Sequence, residues 1–259
     1  MASSVAGTRP AEVDETTTRK LDEERLWRKR ELALALRLFG RLGFSEGLAG
    51  HITVRDPENP RWFWVNPYGM NFNDITVSDL LLVDHEGTVL VGERPLNRAA
   101  FCIHSQVHQA RPDVLAAAHA HSLHGKAFAA LGIPLSPITQ DACAFYDDHS
   151  VYAEYGGVVN DLEEGRRIST ALGANKAVIL SNHGLLTVGG TVGEAAWWFI
   201  TMERSCQAQL AAMAAGVPRL IDPEVARQVH SQIGGPRSGN ASFTSLRYLV
   251  SADDSEIWA

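Results

Sequence analysis

The chain has 259 residues, of which 45% are hydrophobic, and carries a formal net charge of -7 with no basic cluster interleaved with aromatic residues. This composition predicts a globular protein that acts on a small molecule rather than on nucleic acid, and the three widely spaced cysteines fit neither a disulfide framework nor a Cys-x-x-Cys zinc site. No apolar run reaches the roughly 18 residues that a membrane span needs, so we expect a soluble, cytoplasmic protein without a membrane partner.

The first part of the chain predicts a leader followed by a helix. Residues 1–18 are small, polar and charged, so we expect a disordered leader. From Leu21 to Leu42, apolar residues recur at helical spacing, which predicts an amphipathic helix that ends near Gly43. We place one domain at residues 19–220 and expect residues 221–259 to form a C-terminal extension or arm.

Two strands and a hairpin are predicted next. Glycines lead into the alternating segment from Ile52 to Arg55, and the aromatic run from Trp62 to Val65 is too short for a helix. Between Leu80 and Val91, apolar runs flank an Asp-His-Glu-Gly turn, which is typical of a β-hairpin. His51, at the entrance of the first strand, follows glycines that let a ligand approach the backbone. We expect it at a functional site, with a structural imidazole as the alternative.

A helix is predicted from Asn97 to Arg111, where the Arg-Pro dipeptide ends it. His104 and His108 lie four residues apart and therefore on one face of this helix. The pair either takes part in catalysis or substrate binding, or belongs to a packing face, and the spacing leaves both interpretations open.

The apolar run from Val114 to Ala118 leads into His119 and His121. Residues two apart in a strand project from the same face, so one metal ion could contact both imidazoles. His183, in a second apolar run broken by a polar turn, is the candidate third ligand. Three imidazoles suit zinc first, with iron(II), manganese, cobalt and nickel as alternatives, and leave coordination positions open for a substrate. The alternative is a set of buried, hydrogen-bonded histidines.

The remainder of the chain alternates helices, strands and polar segments. A strand is expected near Pro137, and residues 140–157 form a loop-like segment whose polar side chains include Tyr146 and His149, a functional hint. The later predictions are a helix at Asp161–Leu172, strands at Ala177–Leu180 and Leu185–Val188, a long helix at Gly193–Ala215, a flexible connector at 234–240 and an extended arm at Phe243–Val250.

Four motifs, in this order, resemble those of the class II aldolase/adducin family, over about residues 26–215. Gly50-His51-Ile52-Thr53-Val54-Arg55 is similar to the family's Gly-Asn-x-Ser-x-Arg, and Asn66-Pro67-Tyr68-Gly69 to its Thr-Pro-Ser-Gly. The stretch from Arg111-Pro112-Asp113 to His121-Ser122 is similar to its Arg-Pro-Asp and His-x-His segment, and Asn182-His183-Gly184 to its Asn-His-Gly.

This resemblance implies an α/β fold with three α/β/α layers and a mainly antiparallel central sheet. It also implies one divalent metal per chain, held by His119, His121 and His183. Finally, it implies a homotetramer with sites between subunits, and the apolar character of the long helix at 193–215 is consistent with burial at such an interface.

The chain departs from the family's sugar-phosphate aldolases at the position of their acid/base. Those enzymes carry a Pro-Ser-Ser-Glu element upstream of the position matched by His104. Here Arg98 or Ala100 stands where the glutamate would be, depending on the alignment, and both serines are missing. His51 replaces an asparagine and Tyr68 a serine of the phosphate pocket, so we do not expect a phosphorylated sugar as the substrate.

The missing glutamate leaves proton transfer to another group, and we expect a histidine to take it over, because imidazole titrates near neutral pH. The predicted catalytic residues are His51, His104 and Tyr146. The predicted substrate-binding residues are Asn66, Tyr68, Arg98, His108 and His149.

Three functions are compatible with these residues. The first is a metal-dependent carbon-carbon lyase, a decarboxylase or retro-aldolase, acting on a non-phosphorylated and in particular aromatic hydroxy- or oxo-acid, because a metal can stabilise the enolate that both reactions share. The second is a non-haem iron(II) oxygenase of secondary metabolism that oxidatively decarboxylates such an acid, as some antibiotic-pathway proteins resembling this family do. The third is an adducin-like association module without catalysis. Dioxygen uptake separates the first two, and absence of metal would favour the third.

Overall fold

The computed structural model describes residues 15–250 and 252–259, so most of the predicted leader, residues 1–14, lies outside the described residues. Within them, eight strands form one sheet: β1 (His51–Arg55), β2 (Phe63–Val65), β3 (Leu81–Val83), β4 (Val89–Val91), β5 (Ala116–Ala120), β6 (His149–Tyr152), β7 (Ala177–Leu180) and β8 (Gly184–Gly189). The α-helices of this part are α1 (Glu15–Arg41), α2 (Arg98–Ala110), α3 (Leu123–Ala129), α4 (Leu162–Leu172), α5 (Val192–Ala215), α6 (Pro223–Ile233) and α7 (Pro236–Ser245). None of them combines the length and apolar character that crossing a membrane requires.

The sheet has the strand order β4-β3-β2-β1-β5-β8-β7-β6. All neighbouring strands are antiparallel except β6 and β7, which are parallel. Helices α1, α3 and α5 contribute to the hydrophobic core on one face, and α2 and α4 to the core on the other. The predicted three-layer α/β/α fold with a mainly antiparallel sheet is therefore confirmed.

Strand alternation decides which layer each side chain of the central strands faces. Ile52 and Val54 of β1 lie in the core beneath α1 and α5, whereas Thr53 faces α2. In β5, Ala118 lies in the same core as Ile52, and His119 takes the opposite face beside β1. The histidines consequently collect on the α2 side of the sheet.

Several helix starts lie within a residue of the predicted positions because their N-caps are local signals. Asn97 accepts hydrogen bonds from two backbone N–H groups at the start of α2. Asp161 caps α4 and Thr191 caps α5 in the same way, each through the third residue beyond it. The predicted hairpin is also confirmed, with β3 and β4 paired across the Asp-His-Glu-Gly turn.

Two predictions in the first 157 residues are corrected. Helix α1 begins at Glu15, upstream of Leu21, so residues 15–18 belong to the helix rather than to a leader. The expected strand near Pro137 is absent from the described structure, and β6 lies instead inside the segment predicted as a loop. β6 pairs with β7 through backbone hydrogen bonds, so its polar side chains gave no indication of a strand in the sequence.

The C-terminal segment is helical where a flexible connector and an extended arm were predicted. Each of α6 and α7 begins with a proline at its first turn, a position that suits proline because the missing N–H has no helical partner there. Phe243 anchors α7 because it is buried in the same cluster as Trp198 of α5. Ile257 is buried beside Ala33 of α1, so the chain end packs on the first helix.

Candidate metal centre

His119, His121 and His183 converge at one end of the central strands. Each offers a ring nitrogen, and these three atoms all lie within 4.8 Å of one another. The ring centroids are 5.1 Å apart for His119 and His121, and 4.8 Å apart for each of the other two pairs. The structure thus brings together the three residues predicted as metal ligands.

The Asn-His-Gly turn between β7 and β8 places His183 in this cluster. Asn182 has a φ of 58°, a left-handed conformation that asparagine adopts more readily than most residues. A Cβ on Gly184 would lie 3.1 Å from the Ala120 carbonyl oxygen and 3.6 Å from Cε1 of His119. Glycine therefore lets β8 approach β5 closely beside the first ligand.

The three imidazoles are neutral near pH 7, the form that ligates a metal. Burial lowers the pKa of His183 to about 4 and also lowers the pKa values of His119 and His121. His119 Nδ1 lies 2.8 Å from the Leu185 carbonyl oxygen and donates to it, which leaves Nε2 as its ligand atom. This donor set fits a divalent metal ion.

A cavity of about 280 Å³ adjoins the cluster. Its polar wall comprises the three clustered histidines together with His51 and Asn97. The remaining lining residues are apolar, aromatic or glycine: Leu48, Ala49, Gly50, Tyr68, Ala99, Ile103, Tyr155, Gly157, Val158 and Val159. None of the described residues that line the cavity is a lysine or arginine, so its surface in the single chain is mainly apolar.

Behind His51, four side chains form a continuous buried hydrogen-bonded series, which we call the histidine chain. His51 Nδ1 lies 2.8 Å from His104 Nε2. His104 Nδ1 lies 2.7 Å from Thr53 Oγ1, which in turn lies 2.9 Å from His108 Nε2. Burial is the largest cause that lowers the pKa of each imidazole well below its ordinary value. His104 and His108 thus reach the site only through His51, and neither lines the cavity.

The geometry agrees with comparison to known proteins. Residues 30–210 match the family model described as the Class II Aldolase and Adducin N-terminal domain. The chain belongs to this family.

Two relatives at 46% identity and one solved structure carry enzyme names. Decarboxylase NovR from Streptomyces niveus is 46% identical over 237 residues, which cover 91% of this chain and 88% of that protein. A protein from Streptomyces roseochromogenus subsp. oscitans, named 4-hydroxy-3-prenylphenylpyruvate oxygenase/4-hydroxy-3-prenylbenzoate synthase, is 46% identical over 92% of this chain and 86% of its own. The solved structure of L-fuculose 1-phosphate aldolase from Glaciozyma antarctica PI12 superposes with a TM-score of 0.86 at 44% identity, covering 92% of this chain and 94% of that one.

Two residues of the family's phosphate-pocket motifs take different places. Tyr68 lines the cavity and is 41% exposed, and its substrate contact stays a prediction. Asn66 is buried and is not among the residues that line the cavity: its side chain accepts from Ile52 N at 3.1 Å and donates to the Gly50 carbonyl at 3.4 Å. It therefore supports the loop that presents His51.

The other predicted site residues lie outside the cavity of this chain. Arg98 is exposed at the start of α2 and donates to the Asn160 carbonyl oxygen. His149 lies on β6, the edge strand three positions from β5, roughly 14 Å away at the usual strand spacing. Both of its ring nitrogens are hydrogen-bonded to backbone groups. Tyr146 contacts Arg227 of α6 instead. The polarity of these segments in the sequence did not indicate how far from the cavity the fold places them.

Glu203 of α5 is a functional candidate that the sequence alone did not single out. It is buried and accepts hydrogen bonds from Ser122 Oγ and Gly125 N, each at 2.5 Å, and from His124 N at 3.0 Å. These donors form the start of α3, immediately after His121. The carboxylate therefore fixes the turn that follows His121, the second predicted ligand. An acidic residue inside an apolar helix was the signal available in the sequence.

We expect Glu203→Gln to weaken metal binding by about 10-fold or more, as loss of a group that orients a ligand typically does. The amide has one acceptor oxygen in place of two, so part of the α3 start loses its partner and His121 is no longer held. Competition titration of zinc against a chelating dye measures the change.

Glu194→Gln is the matched control for this variant. Glu194 is also buried in α5, but it accepts from Gly190 N after β8, at the other end of the sheet. Its replacement should leave zinc affinity unchanged. Equal losses in both variants would show that the effect is general destabilisation and that Glu203 does not position His121.

Proposed function

We propose that this protein is a metal-dependent enzyme that cleaves a carbon-carbon bond of an aromatic hydroxy- or oxo-acid, by decarboxylation in preference to retro-aldol cleavage. The observation that carries the proposal is a neutral three-histidine cluster in the wall of an apolar cavity without a lysine or arginine. The names of two relatives at 46% identity, a decarboxylase and a prenylbenzoate synthase, support this substrate class.

One divalent metal per chain would be held by His119, His121 and His183. Zinc suits three imidazoles first, and iron(II), manganese, cobalt and nickel are alternatives. When bound, such an ion supplies Lewis-acid polarisation of a substrate carbonyl or carboxylate oxygen.

The chain's own residues supply binding and proton transfer. The apolar walls, with Ile103 and Val159 among them, enclose an aromatic ring and exclude water from the reacting group. Decarboxylation breaks the bond to the carboxylate carbon, releases carbon dioxide and leaves a carbon that must gain one proton. His51 lies in the same wall as the cluster, with its ring centroid 4.9 Å from that of His119, and is placed to hold that proton.

A second candidate is oxidative decarboxylation by an iron(II) form of the same site. The oxygenase name of one relative at 46% identity favours it, and a three-histidine site leaves positions for dioxygen as well as substrate.

Aldol cleavage of a sugar phosphate, suggested by the name of the structural neighbour, is disfavoured by two features of this chain. In the single chain, none of the described residues that line the cavity is a lysine or arginine that could bind phosphate. The position of the aldolase glutamate falls on Arg98 or Ala100, and neither can act as a carboxylate base.

One screen tests these alternatives. Protein purified without chelators or a nickel column is assayed for metal, then offered aryl-hydroxy and aryl-oxo acids and L-fuculose 1-phosphate under air and under nitrogen, with His183→Ala as control. Carbon dioxide release under nitrogen that the control lacks supports the proposed decarboxylase. Release only with stoichiometric dioxygen uptake supports the oxygenase. Cleavage of the sugar phosphate alone would overturn the proposal, and absence of both metal and turnover would favour an adducin-like association module.

We expect the protein to be a homo-oligomer, and a homotetramer in particular, because apolar residues at the cavity mouth are exposed in the single chain. Leu48 is 58%, Tyr155 56% and Val158 73% exposed. Covering this rim with a neighbouring subunit would remove apolar surface from water and close the cavity. Multi-angle light scattering decides the point, and a monodisperse, active monomer at micromolar concentration would contradict it.

A further inference from the structure

In the histidine chain, the proton positions of the three imidazoles and the Thr53 hydroxyl depend on one another. Each of its three links joins two heteroatoms at 2.7 to 2.9 Å, and each link needs one proton between its atoms. Neutral imidazole has one N–H and one bare nitrogen, so a proton placed on one side of a ring fixes the other side as an acceptor. The tautomer of His108 at one end of the histidine chain is therefore linked to the tautomer of His51 at the other.

Two patterns satisfy all three links. In the first, His108 Nε2 donates to Thr53, the Thr53 hydroxyl donates to His104 Nδ1, and His104 Nε2 donates to His51 Nδ1. In the second, every link is reversed. A third arrangement, in which the hydroxyl accepts from both rings, leaves its own buried proton without a partner and is disfavoured.

The far end of the chain selects between the two patterns. His108 Nδ1 is buried and has no hydrogen-bond partner. The first pattern makes it a bare acceptor, whereas the second makes it an N–H beside the Val114 carbonyl.

The surroundings of His108 favour the first pattern. The Val114 carbonyl beside it already accepts from Arg55 Nε at 2.7 Å. The Arg55 guanidinium also donates to the His108 and Arg111 carbonyls. The positive charge of Arg55 lowers the pKa of His108, and it favours a lone pair over an N–H on Nδ1 of that ring.

We infer that Thr53, His104 and His108 are positioning residues that hold His51 in the tautomer with its proton on Nε2. His51 Nδ1 is then occupied as an acceptor, and Nε2 presents an N–H donor to the cavity. In this state neither nitrogen has a free lone pair, so His51 stays out of the metal's coordination sphere although it neighbours His119. In the proposed reaction, on which this second role rests, Nε2–H hydrogen-bonds the substrate oxygen.

The tautomers are measured directly in metal-free protein labelled with nitrogen-15 histidine, by long-range proton-nitrogen correlation. Protonated and bare ring nitrogens resonate at separate positions, so no substrate is needed. We expect His51, His104 and His108 each to carry the proton on Nε2. A proton on Nδ1 of His51 in the parent protein would overturn the inference, whatever the enzyme's activity.

Three threonine variants test the link that joins the two rings. Thr53→Val keeps the shape but removes the hydroxyl, so His51 and His104 should show mixed tautomers, and Thr53→Ser should restore the single one. Thr187→Val is the matched control, because Thr187 is a buried threonine of β8 that does not belong to the histidine chain. Its hydroxyl donates to the Ala195 carbonyl instead. Unchanged tautomers in Thr53→Val would contradict the inference.

The kinetic counterpart separates positioning from binding. With metal content and KM unchanged, kcat of Thr53→Val should fall about 10- to 100-fold, and Thr53→Ser should retain most of it. A parent-like kcat in Thr53→Val together with mixed tautomers would show that the histidine chain has no role in catalysis. Failure to find any substrate would count against the proposed function alone, since the nitrogen spectra establish the tautomer independently.

Discussion

The His119→Ala/His183→Ala variant is expected to contain no stoichiometric metal and to lose turnover by ~10³-fold or more. Two of the three ring nitrogens that lie within 4.8 Å of one another are removed, and one imidazole cannot hold an ion by itself. Lewis-acid assistance is worth several kcal/mol of transition-state stabilisation, and each 1.4 kcal/mol corresponds to a tenfold change in rate. Elemental analysis and turnover are measured on the same preparation, purified without a nickel column.

His230→Ala provides the control for loss of a histidine elsewhere. His230 lies on α6, where its Nε2 pairs with Asp148 at 3.0 Å, and it should be dispensable for metal. Full metal occupancy in the double variant would mean that the cluster is a set of hydrogen-bonded histidines, and the proposed metal centre would be withdrawn.

The His51→Asn variant is expected to lose turnover by ~10² to 10⁴-fold while it keeps its metal. Asparagine is the residue that the family motif carries at this position, so the loop should fold, but an amide cannot release a proton. His104→Ala should also lower turnover, because it removes the partner of His51 Nδ1. Steady-state kinetics with metal analysis measure both effects.

Metal content distinguishes this result from the first prediction. His119→Ala should lose metal and turnover together, whereas the His51 and His104 variants should lose turnover alone. If both variants bind metal normally and react at the parent rate, the proton comes from another group of the cavity, and Tyr68 is the next residue to replace.

Local signals in the sequence determined most of the secondary structure and the candidate metal ligands. The N-caps at Asn97 and Asp161 act on N–H groups two or three residues away, so the start of each helix is determined within a few positions. His119 and His121 share a face because strand side chains alternate. The apolar run and polar turn around His183 made it the candidate third ligand, and the family resemblance supported that choice, since the sequence does not state which strands become neighbours.

Polarity and flexibility along the chain were weaker guides. Tyr146 and His149 were predicted at the site because their segment is polar, yet β6 is an edge strand and His149 satisfies both ring nitrogens on the backbone. The glycine-rich segment at 234–240 was predicted to be flexible, but most of it forms the start of α7, which burial of Phe243 stabilises. In both cases a tertiary contact outweighed a local preference.

The sequence by itself determined the family, the layers of the fold and the three candidate ligands, because these depend on residue spacing and short motifs. Only the tertiary structure decided the histidine chain and the support of the metal centre, because their partners are distant in sequence. His51, Thr53 and His104 meet across separations of 51 to 53 residues, and Glu203 reaches Ser122 across 81. Hydrogen bonds over such distances follow from the packing of α2 and α5 against the sheet, which no local pattern specifies.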